Sequence, residues 1–324
     1  MTRAFCTYFD VNYLSRGLAL YESLRATVPG DFTLDVLCLD DEAERRLRQR
    51  ALPGVRLTRL VDLEAADPEL LATKGTRSKI EYIFTAGPAF MRHLFDREPS
   101  LDLLTYLDSD LYFFSSPEPL FKEAEAADAA TVIVGHRFPP RLRHLEETGR
   151  YNVAWVSFRR DPDGLACLAY WRAACIEWCH DRVDGDRYAD QKYLDEFPRR
   201  FSRVHVLQHP GADVAPWNLT TSPVREVDGR FLIGDEPLIF FHFQGLKMPL
   251  PWLVDLHLGP YGEKSTPAIR KLYERYLACL LPLQDGGRLT SGRAPARRAI
   301  QSVVGAAGNV ARRASSLYIR GRLV

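Results

Sequence analysis

The sequence predicts an α/β fold in which a mixed, mainly parallel sheet is flanked by helices. Short apolar runs alternate with helical repeats through the first hundred residues, a pattern typical of parallel strands joined by crossover helices. The run Leu103–Leu107 is apolar enough for a strand buried on both faces. At 324 residues, with 46% hydrophobic and 26% charged residues, the chain can bury the core of one large soluble domain or two small ones.

The first half of the chain contains four predicted strands separated by helices. The strands are expected over residues 3–9, 33–39, 55–61 and 103–107. Helical spacing of apolar residues predicts helices over 14–28, 42–51 and 76–94. No glycine-rich dinucleotide or P-loop motif follows the first strand, which removes the main support for those two classes of nucleotide-binding protein.

The second half continues the alternation less regularly. Strands are predicted over residues 130–135, 151–158, 204–207 and 238–241, with a hairpin turn at 227–230. Helices are predicted over 161–180, 188–194 and 266–281. The segment 137–150 is basic and interrupted by prolines, and we expect it to be a mobile surface segment.

Charge is distributed unevenly along the chain. The net charge is only +1, so no nucleic-acid partner is expected. Residues 285–324 hold eight arginines and one aspartate, a net charge of +7, which leaves −6 for residues 1–284. A helix over 297–310 would be basic and amphipathic and could lie on an anionic membrane; an extension without such a role is the alternative.

Cysteine usage and the amino terminus indicate the compartment. The six cysteines form no CxxC pair and no framework spacing, which is typical of reduced thiols in apolar positions. The sequence shows no signal peptide and no apolar run long enough to cross a bilayer. We therefore expect a cytoplasmic protein, or one that is peripheral at the inner membrane face.

Three aspartate pairs have the spacing D-x-D, and position distinguishes them. Asp161/Asp163 begins a helix and Asp184/Asp186 lies in a glycine-containing loop. Only Asp108/Asp110 follows a buried strand, where unpaired carboxylates are costly. Because ligands bind at the carboxyl edge of such sheets, a divalent cation that carries a phosphate-bearing ligand is the expected partner. Solvated turn carboxylates are the alternative.

A histidine near the end of the domain completes this candidate metal site. His242 follows an apolar strand and precedes Gly245 and Lys247. Glycine lets backbone approach a phosphate, and lysine supplies a positive charge. Two carboxylates and one imidazole suit Mn²⁺, with Mg²⁺ as a substitute.

Four motifs, taken in order over residues 1–255, resemble those of the GT-A glycosyltransferases, and most closely the retaining family-eight group. That group includes bacterial lipopolysaccharide galactosyltransferases and glycogenin, which points to cell-surface polysaccharide. The motifs are Asp10-Val11-Asn12-Tyr13, Asp108-Ser109-Asp110, Asn152 with Asp190-Gln191, and His242 through Lys247. The last is similar to H-x-x-G-x-x-K-P-W, but is one residue shorter and has Trp252 later.

The resemblance implies a GT-A fold and a site for a nucleotide sugar, with UDP the expected nucleotide. It places base and ribose over Asp10, Asn12 and Tyr13, and the metal ion on Asp108, Asp110 and His242. It places the donor sugar beside Asn152, Asp190 and Gln191. The candidates for contact with the diphosphate are Gly245 and Lys247. Arg77 and Lys79 are further candidates because of their positive charge and position. The alternative for Arg77 and Lys79 is that they only pair with carboxylates.

The implied domain covers residues 1–284, with the nucleotide side at about 1–125 and the acceptor side at about 126–265, followed by the basic extension 285–324. The implied reaction moves a sugar to a hydroxyl of a glycan, glycolipid or protein acceptor, with retention of configuration. Three alternatives stay open at this point. They are an inverting GT-A enzyme, a nucleotidyltransferase, and a non-catalytic GT-A-like binding or scaffold protein recruited through its basic tail.

Overall fold

The computed structural model describes residues 2–250, 253–284, 317–319 and 322–323. Its centre is a seven-stranded sheet in the order β3-β2-β1-β4-β7-β6-β8. Pairing is parallel except where β7 lies antiparallel to β4 and to β6. The strands are β1 (Arg3–Phe9), β2 (Phe32–Cys38), β3 (Val55–Arg59), β4 (Leu103–Leu107), β6 (Thr131–Gly135), β7 (Tyr151–Arg159) and β8 (Val204–Val206). The prediction of a mixed, mainly parallel sheet is confirmed.

Helices cover both faces of this sheet. One face carries α1 (Leu14–Thr27), α2 (Asp41–Arg50) and α6 (Glu118–Ala126), which share an apolar core with β1 and β2. The other face carries α3 (Leu60–Ala66), α4 (Pro68–Thr73), α5 (Lys79–Arg97), α7 (Pro162–Glu177) and α8 (Phe197–Arg200). Because strand side chains alternate between faces, Phe5 packs in the first core and Cys6 in the second.

A third core lies at the carboxyl-terminal side of the domain. It packs α9 (Pro267–Leu280) against small antiparallel sheets. Their strands are β5 (Leu111–Phe113), β9 (Val224–Val227), β10 (Arg230–Ile233), β11 (Glu236–Pro237), β12 (Phe240–His242), β13 (Lys247–Leu250), β14 (Leu253–Asp255), β15 (Leu317–Ile319) and β16 (Arg322–Leu323). The pairing of β5 with β12 connects this core to the end of β4.

Several boundaries differ from the sequence-based expectation. The third strand ends at Arg59, and helix α3 occupies residues expected to extend it. Helix α5 begins at Lys79 because Ser78 and Glu81 form a reciprocal capping box at its start. Residues 188–194, expected to open a helix, form a turn followed by a 3₁₀ helix.

The structure differs most from the sequence-based expectation at residues 137–150, which were expected to form a mobile surface segment. Much of the segment is a 3₁₀ helix, Pro140–Thr148, with Leu142 buried against Trp217. Arg137 donates hydrogen bonds to main-chain carbonyls at His209, Pro210 and Ala212. The segment is therefore packed into the domain by its apolar and main-chain contacts, which charge and proline content alone did not predict.

The remaining expectations concern the cysteine thiols, membrane-spanning helices and the basic extension at residues 285–324. The six cysteines are free, and all except Cys279 are buried. Within the described ranges, no helix combines the length and apolar character needed to cross a bilayer. The predicted helix over 297–310 and Trp252 lie outside the described residues, as does most of the basic extension.

Candidate active site

Two carboxylates and one imidazole converge at the carboxyl edge of the sheet. The His242 Nε2 atom lies 3.2 Å from Asp110 Oδ1 and 3.7 Å from Asp108 Oδ2. One potential ligand atom from each residue lies within 4.8 Å of the other two. No other group of three such ligands was found among the described residues. The donor set and its spacing fit a divalent cation of the Mn²⁺ or Mg²⁺ type.

Strand pairing explains how residues so distant in sequence meet. Strand β4 ends at Leu107, and the Asp108-Ser109-Asp110 turn leads directly into β5. Strand β12 pairs with β5 so that His242 lies opposite Leu111. The amide of Phe243 donates to the carbonyl of Asp110, which fixes this register. The imidazole is thus positioned by the β5–β12 ribbon beside the two carboxylates.

Burial and charge act against each other in this cluster. Burial raises the pKa of Asp108 to about 6, and the neighbouring Asp110 raises it as well. Burial also acts to raise the pKa of Asp110, but the adjacent His242 lowers it below its usual value. Burial acts to lower the pKa of His242, but the carboxylates of Asp110 and the buried Asp213 hold it well above its usual value. The site therefore favours positive charge beside its carboxylates.

Asp108, Asp110 and His242, which we call the carboxylate–histidine cluster, line a pocket of about 710 Å³. Strands β1 and β4 are parallel neighbours, so Asp10 beyond β1 and Asp108 beyond β4 reach the same edge. The Asp10 carboxylate accepts from Lys79 Nζ at 2.9 Å and from the side-chain amide of Asn12 at 3.1 Å. The Tyr13 ring is 45% exposed and carries the Arg16 guanidinium 4.4 Å from its centre. This side of the pocket, which we call the β1 side, combines charge with one open aromatic face.

Of the β1-side candidates, Asp10, Tyr13 and Lys79 line the pocket, whereas Asn12 contributes through Asp10. Arg77 lies elsewhere. Its guanidinium donates to the carbonyls of Ile176 and Glu177 at 3.3 Å and lies 3.1 Å from His180 Nε2. It therefore satisfies the carboxyl end of α7, where free carbonyls favour a cation.

Gly245 and Lys247 also lie outside the pocket lining, where Gln244 contributes instead. Gly245 has φ +74°, and a Cβ there would lie 2.2 Å from the His257 ring. Its glycine is thus explained by backbone conformation and close packing. Lys247 is an exposed residue of β13.

The three residues expected beside the donor sugar all line the pocket. Asp190 is 4% exposed, and burial, followed by the Asp108 charge, raises its pKa to about 8. Gln191 donates to the Thr148 carbonyl at 3.1 Å. The Asn152 side chain accepts from the Ala154 amide at 2.8 Å, at the irregularity in the β6–β7 register. Asn152 therefore also stabilises the local strand geometry.

A second part of the pocket lining, next to His242, is aromatic. Trp217 packs edge-on against His242 and Tyr261, with ring centres 5.2 and 6.1 Å apart. His136 stacks on Phe138 at 4.7 Å and meets Trp217 edge-on. All five rings line the pocket, and we call Phe138, Trp217 and Tyr261 the aromatic side.

Comparison with known proteins gives the family. No protein-family model matches the sequence. Protein YfnD of Bacillus subtilis strain 168 is 36% identical over 221 residues, which are 67% of this chain and 70% of YfnD. Protein YfnF of the same strain is 31% identical over 284 residues, which are 86% of this chain and 92% of YfnF. The chain belongs to the YfnD and YfnF family. Both of those proteins are described as uncharacterized.

The solved structures show which fold this YfnD and YfnF family member has. Galactosyltransferase LgtC, crystallised with donor and acceptor sugar analogs, superposes with a TM-score of 0.53 at 17% identity. The match covers 87% of this chain and 96% of LgtC. The family member therefore has the GT-A glycosyltransferase fold, as the sequence motifs predicted.

Sequence reasoning missed the aromatic side and also Asp213, whose Oδ1 atom lies 3.5 Å from His242 Nδ1. Phe138 lies in the segment expected to be mobile, and Tyr261 in a stretch without a recognised motif. Trp217-Asn218, in a loop of small residues and prolines, was the available signal. A tryptophan followed by an asparagine, outside any helix or strand pattern, indicates a loop that is held in place by packing and side-chain hydrogen bonds.

Proposed function

We propose that this protein is a metal-dependent glycosyltransferase that uses a nucleotide sugar, with UDP as the nucleotide, and retains anomeric configuration. The observation that carries the proposal is the convergence of Asp108, Asp110 and His242 at the edge of a 710 Å³ pocket. The charged β1 side and the aromatic side flank this cluster. That arrangement suits a donor on one side, an acceptor on the other, and transfer between them.

Asp108, Asp110 and His242 would hold the cation. When bound, such an ion neutralises negative charge on a leaving diphosphate, an effect worth several kcal/mol in a transition state. Lys79 Nζ, next to Asp10, adds a further positive charge on the β1 side. Tyr13 offers its exposed face for stacking by the base, and Asp10 offers carboxylate oxygens to ribose hydroxyls.

The donor sugar is assigned to the part of the pocket lined by Asn152, Asp190 and Gln191. With retention, the leaving phosphate can accept the proton of the acceptor hydroxyl, so no strong protein base is required. Asp190 is then free to orient sugar hydroxyls, and its ionised form stabilises positive charge developing at the anomeric carbon. Positive charge entering the pocket favours that ionised form.

The acceptor is assigned to the aromatic side. Phe138 and Tyr261 are partly exposed there, and the buried Trp217 packs against both of them. Aromatic rings pack against the apolar faces of pyranose rings while hydroxyls stay hydrated. This wall suits an acceptor that presents a sugar ring, as in a glycan or glycolipid.

A thermal-shift screen tests the donor assignment directly. The protein is heated with UDP, GDP, ADP and UDP-sugars, each with MnCl₂ and with EDTA. Because a ligand that binds only the folded state raises the unfolding temperature, we expect a UDP-dependent rise that requires Mn²⁺. Asp108→Asn should abolish that rise, and Asp186→Asn, from the exposed D-x-D pair, should retain it.

Hydrolysis of the stabilising UDP-sugar separates an enzyme from a scaffold. Slow, Mn²⁺-dependent release of UDP without an acceptor supports the glycosyltransferase. Binding without turnover for every donor would favour the scaffold alternative. A shift caused equally by all nucleotides, unaffected by Asp108→Asn, would remove the proposed site.

A further inference from the structure

The carboxylate of Asp213 is enclosed behind His242. Asp213 is 0% exposed, and neither of its oxygens has a hydrogen-bond partner among the described residues. Its Oδ1 atom lies 3.5 Å from His242 Nδ1, on the opposite side of the ring from Asp108 and Asp110. Leaving a buried carboxylate unpaired is costly, so this arrangement needs an explanation.

The main chain around Asp213 is held firmly. Asp213 has φ +47°, in the left-handed region. Asn218 donates to the Asp213 carbonyl at 2.9 Å and accepts from the Ala215 amide at 2.9 Å. The amide of His242 donates to the Val214 carbonyl at 2.8 Å. The loop and strand β12 are therefore in fixed register, and the two side chains are held facing each other.

Other nearby groups leave His242 as the natural partner of this carboxylate. Among the described residues, Arg137 and His136 also lie near Asp213. The terminal nitrogens of Arg137 donate to the carbonyls of His209, Pro210 and Ala212, and burial lowers the pKa of His136 to about 4, so that ring is neutral. Trp217 packs edge-on against the imidazole and donates its own N–H to the His136 carbonyl. A small tilt of the ring would bring Nδ1–H within hydrogen-bond distance of Asp213.

We propose that Asp213 is a positioning residue that keeps the His242 proton on Nδ1 and directs the Nε2 lone pair at the cation. A neutral imidazole can donate from one nitrogen and bind metal through the other. A carboxylate behind a metal-binding histidine fixes ring orientation and increases its basicity, and such partners contribute about 10–100-fold to metal affinity. This inference rests on the metal site of the proposed function.

The test compares Mn²⁺ affinity, measured from the EPR signal of free Mn²⁺, in four proteins. We expect Asp213→Ala to bind Mn²⁺ about 10–100-fold more weakly than the native chain. Asp213→Asn, which keeps an acceptor but loses the charge, should lie between them. Asp108→Asn should lose binding. The unfolding temperature in EDTA verifies that each variant is folded, and a purely structural role would change that temperature without changing affinity.

The outcomes separate the two proposals. If Asp108→Asn loses Mn²⁺ and folded Asp213→Ala keeps native affinity, the positioning role is refuted and the proposed function stands. If neither variant changes affinity, the metal site and this inference fail together. If Asp213→Ala does not fold, ¹⁵N NMR of the histidines in the native protein with MgCl₂ decides. A slowly exchanging Nδ1–H on His242 supports the role, and an unprotonated Nδ1 refutes it.

Discussion

The two sides of the pocket are built in different ways. The β1 side takes Asp10, Tyr13 and Lys79 from loops and a helix start in the first 80 residues, next to parallel strands. The aromatic side takes Phe138 and Trp217 from loops and Tyr261 from a short 3₁₀ helix, and consecutive ones among these residues are 44 to 79 positions apart in sequence. The first side is charged and open, and the second is apolar and packed ring against ring.

In the function proposed above, this difference gives the two sides separate tasks. Charge and hydrogen-bonding groups suit a nucleotide diphosphate with its cation, whereas aromatic faces suit a neutral sugar ring. The carboxylate–histidine cluster joins them, because His242 packs against Trp217 and also faces the carboxylates of Asp108 and Asp110. Variants on the two sides should therefore affect donor and acceptor parameters independently.

The largest expected effect comes from the cluster itself. Replacing Asp108 by Asn removes one ligand and its charge, so we expect sugar transfer with MnCl₂ to fall about 10³-fold or more. Turnover of a UDP-sugar, followed by release of UDP, measures this. Asp186→Asn is the matched control and should keep native turnover. Equal activity of both variants would contradict the metal site.

Single substitutions on the two sides should separate donor from acceptor kinetics. Phe138→Ala removes an aromatic face worth about 0.5–1.5 kcal/mol, so acceptor KM should rise up to roughly tenfold. Hydrolysis of the donor without acceptor should stay native. Tyr13→Ala should raise donor KM and leave acceptor KM unchanged. If Phe138→Ala weakened only the donor, the assignment of the aromatic side would be wrong.

The buried Asp190 predicts a pH-dependent stability. Its folded-state pKa of about 8 exceeds the ordinary value of 3.8, so the folded state holds more protons than the unfolded state between these values. The free energy of unfolding therefore falls as pH rises through that window, by at most about 1.4 kcal/mol per pH unit. The measurement is the difference in unfolding temperature between Asp190→Asn and the native chain, both in EDTA. We expect this difference to be more favourable to the variant at pH 8 than at pH 5. A constant difference between the two pH values would refute this.

The smallest catalytic effect is expected for Arg77. Replacing it by Met removes a cation from the carboxyl end of α7, at a cost of about 1 kcal/mol. The unfolding temperature should fall, while donor KM stays native. Lys79→Ala is the comparison, since its ammonium lies in the pocket beside Asp10 and its loss should raise donor KM. A raised donor KM in Arg77→Met would return that residue to the donor site.

Local sequence patterns predicted the sheet, most helices and the residues at strand ends. Asp10 and Asp108 were identifiable because polar residues after buried strands reach one edge of a parallel sheet. The charge of Arg77 suggested a phosphate contact, whereas the structure places its guanidinium on the carbonyls at the end of α7. Segment 137–150 differs from the expectation because it is held by contacts with chain more than 40 residues away.

The sequence by itself determined the α/β alternation, the D-x-D turn at a strand end and the histidine after a second apolar strand. These depend on periodicity and on the cost of burying charge, both of which are local. Only the tertiary structure decided that Asp213 lies behind His242 and that Phe138, Trp217 and Tyr261 meet. Such contacts depend on strand register and loop packing between distant segments, which residue order alone does not fix.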